Sequence, residues 1–172
     1  MRYIKITKFD TANGPGIRTV LWVSGCSHQC KGCHNPETWK PYIGERFTDD
    51  TINEILDSIS SEYISGLTLS GGDPLYYLNI KDIETLVCKV RSIYPYKSIW
   101  LYTGYTWEGL LKHADYDPHL YNILNHINVL VDGKFEIDKK DISLPYCGSS
   151  NQRVIDVKES LRSNKLILYK EE

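Results

Sequence analysis

Ile17-Arg18-Thr19-Val20-Leu21-Trp22-Val23 reads as a strand, and it stops at Ser24-Gly25 immediately before Cys26. Beyond a loop rich in Pro and Gly, Thr48 is placed to cap a helix, with Asp49 and Asp50 complementing its dipole. Ile52, Ile55, Leu56 and Ile59 then supply one apolar helical face. Leu67 to Ser70 is a short strand halted by Gly71-Gly72-Asp73-Pro74, and Ile80, Ile83, Val87 and Val90 mark a second helix that ends near Pro95. The order then repeats. Ile99 to Tyr102 predicts a strand broken by Thr103-Gly104; Trp107, Leu110, Leu111 and Ala114 predict a helix, and Pro118 opens a further short one. Ile127 to Val131 predicts a fourth strand ending at Asp132-Gly133, and Val154 to Val157 and Lys165 to Tyr169 predict two more.

Strand, loop and helix in repetition predict an α/β protein with a mostly parallel sheet. A parallel sheet delivers every strand's C-terminal end to one side, so the polar and glycine clusters that follow these strands are expected to meet in one composite site.

The chain has 172 residues, which predicts a single domain over 1–172. With 41% hydrophobic and 24% charged residues it has the composition of a globular protein, and 20 basic against 22 acidic side chains give a net charge of −2. That balance argues against nucleic acid as a partner. The opening Met1-Arg2-Tyr3-Ile4-Lys5-Ile6-Thr7-Lys8-Phe9-Asp10 alternates apolar and polar residues where a secretory signal needs an unbroken apolar segment, and no later run approaches a membrane span. The expectation is a cytoplasmic protein with no membrane partner.

Five cysteines are present, and Cys26, Cys30 and Cys33 fall on one loop. An odd count without an export signal points to metal or thiol chemistry rather than a disulfide framework. Three chemistries suit the loop. Structural zinc would need a fourth ligand, such as His28, His34 or a distant cysteine. Cys30-Lys31-Gly32-Cys33-His34 fits the attachment pattern of a c-type haem, although Met1 is the sole methionine and no internal Met can serve as an axial ligand. A [4Fe-4S] cluster held by three thiolates keeps one iron open, and an open iron can bind a small chelate such as the amino and carboxylate groups of S-adenosylmethionine.

The spacing Cys26-x-x-x-Cys30-x-x-Cys33 directly after a strand resembles the signature of the radical S-adenosylmethionine superfamily, with Gly32 where an aromatic residue is usual. The flanks Asn13-Gly14-Pro15-Gly16-Ile17-Arg18-Thr19 and Cys33-His34-Asn35-Pro36-Glu37-Thr38-Trp39 resemble those of the activating enzymes of glycyl-radical proteins, Asn13 standing where many have Asp. Tyr102-Thr103-Gly104-Tyr105, Val131-Asp132-Gly133-Lys134-Phe135 and Gly148-Ser149-Ser150-Asn151-Gln152-Arg153 are similar to stretches of those activases that serve anaerobic ribonucleotide reductases.

The resemblance implies an incomplete, open (β/α) barrel. It also implies an oxidoreductase in which Cys26, Cys30 and Cys33 hold a [4Fe-4S] cluster that cleaves S-adenosylmethionine reductively, giving a 5′-deoxyadenosyl radical that abstracts hydrogen from a glycine of the reductase's large subunit. Gly32, Cys33, His34, Gly71, Gly72, Asp73 and Thr103 are then expected against the cofactor, and Asp132 and Lys134 are expected to help hold the cofactor and the substrate loop. A flavodoxin-like protein is the implied electron donor. Cys88 and Cys147 are read as structural thiols. Two alternatives remain at this point: a radical enzyme acting on another glycyl-radical protein or a small molecule, and a zinc-binding interaction module.

Overall fold

A computed structural model describes residues 1–171. Among these, seven strands form one open sheet in the order β3-β1-β2-β4-β5-β6-β7. They are β1 (Arg2–Asp10), β2 (Ile17–Val23), β3 (Glu45–Arg46), β4 (Ile64–Gly71), β5 (Ser98–Tyr102), β6 (Val129–Asp132) and β7 (Arg153–Asp156). The helices are α1 (Asp49–Ile59), α2 (Ile80–Ile93), α3 (Trp107–Ala114), α4 (Pro118–His126) and α5 (Val157–Ser163). The centre of the sheet is parallel, since β2 pairs with β4, β4 with β5 and β5 with β6 in that sense. Antiparallel strands flank it: β1 on β2, β3 on β1, and β7 on β6. No helix among the described residues is long and apolar enough to cross a membrane.

The alternation of side chains along each strand divides the protein into two layers. Leu21, Val23, Leu67, Leu69, Ile99, Leu101, Leu130 and Ile155 join the helical residues in one buried core. The α1 face predicted from Ile52, Ile55, Leu56 and Ile59 packs there, and Thr48 caps the helix by accepting from the Thr51 amide. Asp117 and Pro118 start α4 in the same manner, the Asp117 side chain accepting from the His119 and Leu120 amides.

The second layer is smaller and carries polar groups. Trp100, Val129 and Val131 are packed by Tyr102, Tyr146, Cys147, Val154 and Tyr169. Arg18 is fully buried, with its guanidinium 5.5 Å from the Trp100 ring. Its nitrogens donate to the Thr68 and Ser98 hydroxyls and to the carbonyls of Leu67 and Ser98, which offsets the desolvation that pushes its pKa down to about 10.

Some elements differ from those expected. Residues 2–10 form β1, because alternation over nine residues is itself a strand pattern. The fourth parallel strand starts at Val129, since Ile127 ends α4 by donating its amide to the Ile123 carbonyl. The expected strand Lys165 to Tyr169 reduces to one isolated bridge, Leu168 with Ile155. The tail follows β7 through the backbone bonds Asp156 N to Ile167 O and Tyr169 N to Val154 O.

Candidate cluster and cofactor site

The four parallel strands end on one side of the sheet, and the loops that leave them enclose a cavity of about 460 Å³. Cys26, Cys30, Cys33 and His34 line it from the loop after β2, and Gly71, Gly72 and Asp73 from the loop after β4. Thr103 and Gly104 come from the end of β5, Lys134 from the end of β6. The composite site expected from parallel topology is therefore formed. Gly32 and Asp132 are not among the lining residues.

The cysteine loop is braced at both ends. Gly25 and Cys26 donate their amides to the Thr38 and Trp39 carbonyls at 2.7 and 3.1 Å, which closes the loop onto the turn Pro36–Trp39. Inside it, Gly32 takes φ +74° and the Cys33 amide donates to the Cys30 carbonyl, a tight turn that suits glycine. The Asn35 amide points at Cys33 Sγ, 3.4 Å away, as a donor to a sulfur. Burial pushes the Cys26 thiol up.

This donor set fits a four-iron cluster. Three thiols from one loop face a shared cavity. A cluster takes each thiolate on a separate iron.

The two glycines where β4 ends have a packing role that spacing alone does not reveal. A Cβ on Gly71 would lie 2.8 Å from the Val23 backbone, and one on Gly72 would lie 2.5 Å from the Gly25 carbonyl oxygen. The β4 exit is thus pressed against the start of the cysteine loop, with the Gly72 and Asp73 amides donating to the Val23 and Gly25 carbonyls. Asp73 itself is buried. Its carboxylate accepts from the Leu75 amide, the Thr103 hydroxyl, the Gly104 amide and His28 Nε2.

Asp132, also buried, is committed elsewhere. It accepts from the Trp107 amide at the start of α3 and from the Arg153 guanidinium, which in turn forks onto Glu108. The two carboxylates push the Arg153 pKa up. Lys134 is held through its backbone, because Asn151 donates to the Lys134 carbonyl and Gln152 to that of Gly133. These partners of the β6 exit were left without roles by the sequence; the antiparallel register Asp132 to Arg153 brings them there.

Cys147 also lines the cavity, whereas Cys88 is half-buried on α2 with its sulfur 4.0 Å from His126 Nε2.

Comparison with known proteins supports an iron-sulfur cluster. Residues 12–155 match the family model of a 4Fe-4S single cluster domain. The chain is 42% identical over 154 residues to the anaerobic ribonucleoside-triphosphate reductase-activating protein of Enterobacteria phage T4, an alignment that covers 90% of this chain and 93% of the relative. It is 43% identical over 156 residues to the protein of that name from Escherichia coli strain K12, covering 90% and 97%. The Vibrio cholerae protein of the same name is 42% identical over 154 residues, covering 88% and 96%.

Proposed function

The chain belongs to the family of anaerobic ribonucleoside-triphosphate reductase-activating proteins, and from that membership we propose that it activates an anaerobic ribonucleotide reductase by generating a glycyl radical on its large subunit. The observation that carries the reading is the convergence of three cysteines and the loops of all four parallel strands on one cavity. Cys26, Cys30 and Cys33 would hold the [4Fe-4S] cluster. When bound, cluster and S-adenosylmethionine supply a one-electron reductive cleavage that yields the equivalent needed to remove hydrogen from glycine.

The chain's own residues bind, orient and exclude water. Gly71, Gly72, Asp73 and Thr103 form one wall of the cavity beside the cysteine loop, and Cys33 and His34 another. Gly32 shapes the loop turn that presents Cys33. Lys134, on a segment fixed by Asn151, reaches the cavity where a substrate loop would enter, and Asp132 anchors that segment to α3. Among the described residues the sheet does not close on itself, ending at β3 on one side and at β7, bridged by the tail at Leu168, on the other, which supports an open (β/α) barrel of the radical S-adenosylmethionine type, a shape that admits a protein loop. Reduction of the cluster by a flavodoxin-like donor completes the proposal.

Anaerobic reconstitution tests it. The expected product is a brown, oxygen-labile protein with about four irons per chain that cleaves S-adenosylmethionine when reduced, with Cys30→Ala losing both properties. Colourless protein carrying one zinc would overturn the reading.

A further inference from the structure

The buried Asp73 carboxylate is a junction between three loops. From its own loop it receives the Leu75 amide at 2.8 Å, and from the loop after β5 the Thr103 hydroxyl at 2.9 Å and the Gly104 amide at 3.1 Å. From the cysteine loop it receives His28 Nε2 at 2.8 Å. His28 lies between Cys26 and Cys30, so this bond attaches the proposed cluster-bearing loop to the walls of the cavity formed by the loops after β4 and β5.

The surroundings of His28 are built to hold it. Its side chain is only 7% exposed, and its ring meets Tyr105 edge-on with centroids 4.5 Å apart. Gly104 leaves the space the ring occupies, since a Cβ there would lie 2.3 Å from His28 Cδ2. The partner residues are far apart in sequence and come from three loops of the site. With both oxygens accepting from internal donors, Asp73 has little capacity left for a ligand ammonium group.

We propose that Asp73 is a positioning residue which, through His28 and Thr103, sets the distance between the cysteine loop and the cofactor-facing loops. This rests on the cluster and S-adenosylmethionine reading given above. A ligand that touches both walls at once binds well only when their spacing is fixed, because positional freedom must otherwise be lost on binding. The hydrogen bond and the ring packing of His28 can be separated. His28→Phe keeps an aromatic ring against Tyr105 and loses the donor, whereas His28→Gln keeps an N–H that can reach Asp73.

The test titrates S-adenosylmethionine into the reduced, cluster-loaded protein and follows the change in the cluster's electron spin resonance spectrum, with iron content measured alongside. His28→Phe is expected to retain the iron of the wild type and to weaken S-adenosylmethionine binding about tenfold, the scale of one hydrogen bond to a charged group, with His28→Gln restoring most of the loss. Thr103→Val removes a second donor from a loop without cysteines, and the same loss is expected there, so the proposal stays testable if His28→Phe fails to load. Wild-type affinity in both His28→Phe and Thr103→Val, or an equal loss in His28→Gln and His28→Phe, would overturn the positioning role. No spectral change in the wild type would instead overturn the S-adenosylmethionine reading beneath it.

Discussion

Burial first, and the negative charge of Asp132 second, push the Cys147 thiol up to about 11. The thiol therefore stays protonated in the folded protein while the unfolded chain ionises near pH ~8.5. Because the folded value is the higher, the favourable contribution of the neutral thiol is complete below about 8.5 and is lost as pH rises towards 11. The predicted outcome is slow alkylation of Cys147 at pH 8, read by peptide mass spectrometry, with a rate that climbs steeply into the alkaline range; labelling at pH 8 as fast as a free cysteine would contradict it. Arg153 illustrates the opposite case, a charge held by carboxylates on both sides. Arg153→Met leaves the buried Asp132 without its cation, at a cost of about 2 kcal/mol. Thermal unfolding should drop by several degrees, on the scale of about 2–4 °C per kcal/mol for a chain of this size.

At the scale of elements, α1 is defined by local chemistry. Its capping box pairs the Thr48 hydroxyl with the Thr51 amide and the Thr51 hydroxyl with the Thr48 amide. Thr48→Ala should cost about 1 kcal/mol, seen as a shift of about 2–4 °C in the melting temperature. Such local signals made most elements legible: apolar periodicity located α1 to α3, Pro118 the start of α4, and short apolar runs the parallel strands. The strand β1 was legible too, but its alternation served only to exclude a signal segment. Lys165 to Tyr169 has a similar pattern and forms a single bridge, because pattern alone does not say how much of a segment finds a partner. The site divides in the same way. The three cysteines share one loop and their spacing is read directly, whereas His28 with Asp73 and Asp132 with Arg153 and Glu108 meet only through the register and crossover of distant strands.

For the molecule as a whole, the two faces of the sheet have different tasks. Helices bury one face in the main core, and the other carries Arg18, Trp100 and the tyrosines below the cavity. The site is assembled where the strands end. An activating role makes a demand that loading with iron alone does not meet, since the product of the reaction is a radical on another protein. The direct measurement is electron spin resonance of an anaerobic ribonucleotide reductase incubated with the reduced, cluster-loaded protein. The account predicts a glycyl radical signal on the reductase that appears only when both this protein and S-adenosylmethionine are present. No such signal from preparations carrying about four irons per chain, with a reductase that a known activating protein does activate, would contradict it.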